Sequence, residues 1–144
     1  MTEPSSHTPV VLFVCDHNAG RSQIAAAYLN HLGRGALVAK SAGSRPSAEV
    51  HPAVVEAMAE EGLDISAETP KELTDEALHD ANMVITLAGS EAVRVIPGRK
   101  YEDWQLRHPD NDSLAHVRPL RDDIKARIQE LLSELLPAVH PDAN

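Results

Sequence analysis

One stretch near the start of the chain limits the possible folds more than any other, because an apolar run changes abruptly into a polar loop and then a helical pattern. Residues Val10 to Val14 are five consecutive apolar residues, mostly β-branched, which are too few for a helix and typical of a buried strand. Residues 16–20 are small or polar, as in a tight loop, and a helical pattern begins near Arg21. This order predicts a strand, a loop and a helix N-terminus in an α/β protein.

The loop after this strand combines an anion-binding site with a nucleophile. Free backbone N–H groups of such a loop converge at the helix N-terminus, and the helix dipole adds roughly half a positive charge. The single cysteine, Cys15, lies at the mouth of this site, where the field favours the thiolate. Arg21 can offer a planar fork of donors to a tetrahedral oxyanion. The alternative, that Cys15 is merely a small buried residue, leaves the spacing of Asn18, Gly20 and Ser22 unexplained.

Length and charge indicate one acidic domain. The 144 residues allow one domain with a sizeable core, predicted over residues 10–138, with a disordered lead at 1–9 and a frayed C-terminus at 139–144. The formal net charge of −9 argues against nucleic acid or an anionic membrane surface as a partner. Anion binding is therefore expected from a local site only.

The cysteine and histidine contents bear on compartment and cofactors. One cysteine excludes an internal disulfide and favours a reducing compartment, and no apolar run has the length of a membrane span. Residues 1–8 lack the apolar region of a signal peptide, so we expect a cytoplasmic protein. The histidines outside the loop show no spacing typical of a metal site, so we expect neither a metal nor a bound organic cofactor.

Strands and helices alternate along the chain. Strands are predicted at 10–14, 36–41, 82–87 and, more weakly, 101–104, and helices at 22–31, from 51 to a cap at Gly62, at 74–79, 90–95 and 113–136. Proline at residue 119 is expected near the first turn of the last helix or at a break in it. Thr74 is expected to cap the third helix. The predicted apolar stripes are Ile24, Ala27, Tyr28 and Leu32 in the first helix and Val54, Val55, Met58 and Ala59 in the second. The alternation implies right-handed βαβ crossovers and a parallel sheet covered on both faces.

The loop sequence resembles that of a known family. The loop has the sequence Cys15-Asp16-His17-Asn18-Ala19-Gly20-Arg21-Ser22-Gln23. It is similar to the signature loop of low-molecular-weight protein tyrosine phosphatases, and its individual residues resemble those of their arsenate reductase relatives. Later landmarks are Ser41-Ala42-Gly43-Ser44, His51-Pro52-Ala53-Val54, Lys71-Glu72-Leu73-Thr74, Val84-Ile85-Thr86 and Tyr101-Glu102-Asp103-Trp104. The resemblance implies a doubly wound, four-stranded parallel sheet flanked by helices.

The resemblance also implies a role for each residue of the loop. Cys15 would attack the arsenic of arsenate, expel water and leave a Cys–arsenate adduct. Arg21 would bind the equatorial oxygens, and Ser22 would donate a hydrogen bond to the sulfur. Residues Asp16, His17, Asn18, Ala19 and Gly20 would complete the oxyanion site with Arg21. We expect Asn18 and Gly20 to shape the backbone of the loop, because both tolerate left-handed conformations, and His17 either contacts the anion or faces solvent.

The general acid departs from the family pattern. The family usually places Asp-Pro in a loop after the Tyr-Glu-Asp-Trp stretch, and this chain has His108-Pro109-Asp110 there. His108 can serve as the acid because histidine titrates near neutral pH, and Asp110 is the second candidate. A third interpretation is that no strong acid is needed, because arsenate exchanges its oxygens readily.

The chain also departs from the family pattern in the thiol that must react with the Cys15 adduct. Thioredoxin-coupled relatives carry two further cysteines after the third strand, where this chain has Gly89 and Val93. With one cysteine the chain cannot resolve the adduct by itself, so an external low-molecular-weight thiol must do so. The resemblance to single-cysteine arsenate–mycothiol transferases implies mycothiol as co-substrate and a mycoredoxin as partner. Composition does not distinguish mycothiol from glutathione or another thiol.

Two other functions compete with the arsenate–thiol transferase. The first is a phosphotyrosine or small-phosphoester phosphatase that uses the same Cys15 and Arg21. His108 in place of the acid, and the lack of an aromatic pair beside it, count against a phosphatase. The second is a non-enzymatic oxyanion sensor. Because Cys15, Arg21 and Ser22 are all present, this hypothesis is not needed to explain the loop.

Overall fold

The structure is a computed structural model that describes residues 8–87, 100–104, 106 and 113–135. In chain order its elements are β1 Val10–Cys15, α1 Arg21–Gly33, β2 Val38–Gly43, α2 Pro52–Ala59, α3 Asp75–Asp80, β3 Met83–Leu87, β4 Lys100–Trp104 and α4 Leu114–Leu135. The helix predicted at 90–95, most of the predicted N-terminal lead and the predicted frayed C-terminus lie outside the described residues.

The four strands form one parallel sheet in the order β2-β1-β3-β4. This confirms the predicted doubly wound α/β fold with a four-stranded parallel sheet. Because the strands are parallel, their carboxyl ends lie along one edge of the sheet, and Cys15 and Gly43 are neighbours there. In open α/β sheets this edge carries the ligand site, so the fold places Cys15 where a ligand is expected.

The two faces of the sheet bury different helices. Phe13 and Ile85 face one core, which contains Ile24 of α1 and Ile128 of α4. Leu12 and Val84 face the other core, which contains Leu78 of α3. A central strand that is covered on both faces must be apolar at every position. This explains the uninterrupted apolar run of β1.

The second strand begins two residues later than predicted. Its predicted range was 36–41, whereas β2 spans Val38–Gly43. Arg34 and Gly35 both have left-handed backbone, with φ of 52° and 85°, and the N–H of Ala36 donates to the carbonyl of Gly33 at 2.9 Å. This turn uses the residues that the pattern assigned to the start of the strand.

The first helix is buried more completely than an amphipathic pattern predicts. Ile24 and Tyr28 are buried as expected, but Ala27 and Leu32 are only partly buried, while Gln23 and Leu29 are buried. The reason is that α1 contacts the sheet on one side and α4 on another. In α2 the predicted Val54 and Met58 are buried, Val55 is partly buried, and Ala57 rather than Ala59 completes the stripe.

The two other predictions about helix ends concern Thr74 and Pro119. The predicted cap at Thr74 is confirmed, because its Oγ1 accepts the N–H of Ala77 at 3.1 Å at the start of α3. Pro119 lies inside α4, which continues without a break from Leu114 to Leu135. No helix within the described residues is both long and apolar enough to cross a membrane.

Candidate active site

The backbone carbonyls of the loop between β1 and α1 are held by the segment that follows β2. The carbonyls of Cys15, Asp16, His17 and Ala19 accept, in that order, the backbone N–H groups of Ser44, Arg45, Ser47 and His51, at 3.3, 2.8, 3.0 and 3.0 Å. Four long-range bonds within one short loop fix its path. The loop is therefore shaped before any ligand binds.

The same four bonds set the direction of the loop amides. In a planar trans peptide the C=O and the N–H point in opposite directions. Because the carbonyls point toward segment 44–51, the N–H groups of the residues after them point away from it, toward the concave side of the loop. These are the N–H groups of Asp16, His17, Asn18 and Gly20. A ring of inward donors at the N-terminus of α1 suits a tetrahedral oxyanion.

The approach of β2 to this loop requires a glycine. A Cβ at Gly43 would lie 2.6 Å from the carbonyl oxygen of Asp16 and 2.9 Å from the N of Asn18. On its outer edge Gly43 donates its N–H to the carbonyl of Lys71 and accepts the N–H of Leu73, both at 2.8 Å. Gly43 thus holds the loop between β2 and the segment that precedes α3.

Cys15 is buried, and a hydrogen-bond chain orients a donor toward its sulfur. Its Sγ lies 2.9 Å from the Oγ of Ser22, and the Nδ2 of Asn18 donates to that same Oγ at 2.7 Å. A serine hydroxyl has one proton to donate. Since Asn18 can only donate at Nδ2, this bond leaves the proton of Ser22 available to the sulfur. When Cys15 is a thiolate, Ser22 is the only possible donor of this pair, and such a hydrogen bond stabilises the thiolate.

Asn18 has a left-handed backbone, and both polar atoms of its side chain form hydrogen bonds. Its φ is 50°, and its Oδ1 accepts the N–H of Lys71 at 2.7 Å and the Nε2 of Gln23 at 3.1 Å. The φ of Gly20 is −142°, outside the left-handed region. A Cβ at Gly20 would lie 3.7 Å from the Cδ2 of His51, an ordinary contact.

Arg21 is the first residue of α1 and lies at the loop as predicted. It is only 7% exposed, and its Nη1 donates to the carbonyl of Leu106 at 3.4 Å. Leu106 in turn donates its N–H to the carbonyl of Trp104, the last residue of β4. In the part of the chain that the structure describes, Arg21 makes no ion pair. No other group of the described residues accepts a hydrogen bond from its guanidinium, which can therefore bind an anion.

His17 is the only exposed residue among the seven from Cys15 to Arg21. Its Nδ1 lies 3.0 Å from the carbonyl oxygen of Arg45. The ring is thus held by the segment after β2, and both alternatives for His17 stay predictions.

Two predicted positions and the two replaced cysteine positions cannot be placed. His108, Asp110, Gly89 and Val93 lie outside the described residues, so the acid stays a prediction. Within the described residues, no group of three His, Cys, Asp or Glu side chains could hold a metal ion.

Several residues that shape the site were not given a role from the sequence. Gln23 and the backbone N–H of Lys71 both donate hydrogen bonds to the side chain of Asn18. Gly43 permits the close approach of β2 to the loop, and the carbonyl of Leu106 accepts a hydrogen bond from Arg21. Gln23, Gly43 and Lys71 occur in the stretches that carry the family resemblance. Their position in these family-like stretches was the one signal that could have identified them. Nothing in the sequence marks Leu106, because its contribution is a backbone carbonyl.

Comparison with known proteins identifies the family. The model of the low molecular weight phosphotyrosine protein phosphatase family matches residues 10–140. This chain belongs to that family. The match covers β1, the loop and every other element described above. Cys15 and the loop that follows it therefore lie in a domain of the phosphatase type.

Individual members of the phosphatase family that resemble this chain include arsenate reductases. The glutaredoxin arsenate reductase of Synechocystis sp. is 36% identical over 129 residues, which are 87% of this chain and 97% of the relative. The thioredoxin-dependent arsenate reductase of Corynebacterium glutamicum is 40% identical with a TM-score of 0.81, and the match covers 90% of this chain and 63% of that longer one. An arsenate reductase in a phosphate-binding state is 35% identical with a TM-score of 0.78, over 89% of this chain and 99% of the other.

Proposed function

We propose that this protein reduces arsenate through nucleophilic attack by Cys15. The observation that carries the proposal is the position of the buried Cys15 sulfur, which lies 2.9 Å from the Ser22 hydroxyl oxygen at the start of the loop that has four inward amides. A thiolate is the form of cysteine that attacks electrophiles. The resemblance to several arsenate reductases supports arsenate as the electrophile.

The first step is a substitution at arsenic. The Cys15 thiolate donates its electron pair to arsenic, an S–As bond forms, and an As–O bond breaks so that hydroxide leaves and is protonated to water. The inward amides and Arg21 bind the remaining oxygens, whose charge they stabilise throughout the step. His108 or Asp110 is the proposed proton donor to the leaving oxygen. Arsenic remains arsenic(V) in the adduct.

The second step needs a thiol that the chain does not contain. Its one cysteine is already bonded to arsenic, so an external low-molecular-weight thiol must attack the adduct, and mycothiol is our candidate. The thiolate bonds to arsenic and releases the Cys15 thiolate. A mycoredoxin then takes up the thiol as a mixed disulfide and transfers two electrons to arsenic, which leaves as arsenite. This chemistry suits the reducing cytoplasm.

Turnover assays test the proposal directly. We expect arsenate-dependent turnover with mycothiol, mycoredoxin and its reducing system, and complete loss of turnover in Cys15→Ser. His31→Gln, an exposed histidine near the end of α1, is the control and should keep wild-type turnover. Glutathione with a glutaredoxin, assayed in parallel, decides which thiol is used. No arsenate turnover with any thiol would overturn the proposal.

A phosphatase is the second candidate, and the family match favours it. The same thiolate and amides would attack phosphorus in an aryl phosphate, and the family model is that of a phosphotyrosine protein phosphatase. Cys15-dependent release of phosphate from an aryl phosphate, without any thiol-dependent use of arsenate, would establish this activity in place of the first.

A further inference from the structure

The outer edge of β2 has backbone groups that the sheet itself does not use. In an extended strand, the N–H and C=O of successive residues point alternately to the two sides. The N–H of Val38 donates to the carbonyl of Pro9, which lies on the side of β1. The backbone groups of Ala39, Ser41 and Gly43 therefore point away from β1, toward the open edge of the sheet.

The first and the last of these three residues are paired by other parts of the chain. The side-chain carboxamide of Asn30 accepts the N–H of Ala39 at 2.9 Å and donates to the carbonyl of Ala39 at 3.0 Å. Gly43 donates its N–H to the carbonyl of Lys71, and its own carbonyl accepts the N–H of Leu73. The edge of β2 is thus closed on both sides of one residue.

That residue is Ser41, whose backbone N–H and C=O have no partner in the part of the chain that the structure describes. It is nevertheless only 8% exposed. If the pairing at Gly43 continued along the edge, the carbonyl of Thr69 and the N–H of Lys71 would bond to Ser41. Instead, the carbonyl accepts the Nζ of Lys71 at 3.0 Å, and the N–H donates to the Oδ1 of Asn18 at 2.7 Å. Such a buried backbone pair needs a partner from outside the chain.

Ser41 lines a cavity of about 740 Å³ that is bounded by β2, by α1 and by segment 62–72. This volume lies in the range of small-molecule sites, which combine apolar walls with a few polar groups. The apolar part of the wall includes Ala26, Ala27, Leu63 and Ile65. The exposed charged side chains around the cavity nearly balance, which favours a neutral ligand; they are Lys40, Lys71, Asp64, Glu68 and Glu72.

We propose that this cavity binds a small neutral molecule through a primary carboxamide that pairs with the backbone N–H and C=O of Ser41. The carboxamide of Asn30 is the model for this contact, because it makes both bonds to Ala39 on the same edge. A carboxamide presents a donor and an acceptor side by side, whereas a carboxylate has no donor for the carbonyl of Ser41. Two residues of strand span about 6.6 Å, which leaves room for the ligand beside Asn30.

Benzamide is the probe, and two molecules of similar shape are its controls. Benzoate and N,N-dimethylbenzamide both lack an amide N–H. In a two-dimensional proton–nitrogen NMR titration, benzamide should shift the backbone amide resonance of Ser41 saturably and with millimolar affinity. Each control should bind about tenfold more weakly, because it leaves the carbonyl of Ser41 unpaired. The amide resonances of His17 and Gly20, in the loop after Cys15, should shift less than that of Ser41.

A larger side chain in the cavity provides a second test. Ala27 is partly buried on α1 and lines the cavity, so Ala27→Phe should fill part of it and remove the saturable shift. The matched control is Ala115→Phe, at an exposed site of α4 that does not line the cavity, and it should bind benzamide like the wild type. Urea denaturation checks that both variants fold.

Three results would overturn the site. The first is equal affinity for benzamide and its two controls, which would show that the carboxamide is not recognised. The second is a titration that leaves the resonance of Ser41 unchanged or shifts only the loop after Cys15. The third is wild-type affinity in a folded Ala27→Phe protein. None of these measurements involves arsenate or the reaction of Cys15, so the site stands or falls separately from the proposed function.

Discussion

Asn18 shows how one residue can serve both the backbone and the nucleophile. Its left-handed φ turns the loop, its Oδ1 accepts from Lys71 and Gln23, and its Nδ2 donates to Ser22. The last bond matters most for chemistry, because it leaves the single proton of Ser22 available to a Cys15 thiolate. An amide is required here, since it presents a donor and an acceptor on the same small side chain.

The substitution Asn18→Asp tests the direction of the hydrogen bond between Asn18 and Ser22 without a change in side-chain size. The carboxylate keeps an acceptor for Lys71 and Gln23 but offers Ser22 an acceptor in place of a donor, so the hydroxyl turns from Cys15 to the carboxylate. Hydrogen bonds to charged groups contribute about 1.5–3 kcal/mol, so alkylation of Cys15 at pH 7 should slow by roughly 10- to 100-fold. The measurement is the rate of reaction with iodoacetamide.

The matched control for this change is Asn82→Asp. The Oδ1 of Asn82 accepts the N–H of Val10, at the opposite end of β1 from Cys15. It therefore adds the same charge far from the sulfur and should leave the alkylation rate unchanged. An Asn18→Asp protein that reacts as fast as the wild type would contradict the assigned direction of the bond.

At the scale of elements, α4 tolerates a proline in its second turn. Pro119 lacks the N–H that would bond the carbonyl of Ala115, and both residues are exposed, so water can satisfy that carbonyl. The helix continues because Val117 and Ile124, on either side of Pro119 in the chain, are both buried in the core. The burial of these apolar side chains thus outweighs the local preference of proline, which would end the helix.

Replacement of Pro119 by alanine should stabilise the protein. Proline costs about 3 kcal/mol relative to alanine inside a helix, and part of that gain is lost because alanine frees the unfolded chain. We expect a net increase of about 1–2 kcal/mol in the free energy of unfolding, measured by urea denaturation. Ser133→Ala, at an exposed site of the same helix, should gain about 0.5 kcal/mol or less. A destabilised Pro119→Ala would show that the proline shapes α4.

At the scale of the molecule, two glutamates after α2 join the three helices on one face of the sheet. Glu60 accepts hydrogen bonds from Arg118 and Arg121 of α4. Glu61 accepts from the hydroxyl of Tyr28 in α1 at 3.0 Å and from Lys125 in α4 at 2.9 Å. The hydrogen bonds from Arg118 and Arg121 lower the pKa of Glu60 to about 2. The ion pairs therefore link folding to pH.

Comparison of Glu60→Gln with the wild type should expose this linkage. A carboxyl whose pKa is lower in the folded state stabilises the fold above its unfolded pKa and loses that contribution as the pH falls. For Glu60 the loss should occur between pH 4.5 and about 2. Urea midpoints at pH 7 and at several values down to 2 should show a difference between the two proteins that is largest at pH 7 and disappears in acid. A difference independent of pH would exclude the ion pairs as its cause.

Glu130→Gln controls for the loss of one negative charge from this acidic chain. Glu130 is exposed on α4 and makes no ion pair within the described residues. Since no cation is released when it is replaced, the urea midpoint should change little at pH 7.

The sequence by itself determined the order of the elements and pointed to the proposed nucleophile. The apolar run of β1, the polar loop and the helical pattern after it are local features, and each predicts its own structure from side-chain chemistry. The alternation of strands and helices predicted the parallel sheet, whose carboxyl edge carries Cys15. Cys15, Arg21 and Ser22 were likewise identified by residue type and spacing, and the structure brings them together at the loop.

Only the tertiary structure decided what holds the loop and which way its donors point. The N–H groups of Ser44 to His51, the N–H of Lys71 and the carbonyl of Leu106 reach the loop from distant parts of the chain. Nearly every residue has a backbone N–H and a carbonyl, so no side-chain pattern marks the ones that are used. The ring of His17 contacts such a carbonyl as well, that of Arg45. Local chemistry therefore specified the reactive group, and long-range backbone bonds specified its environment.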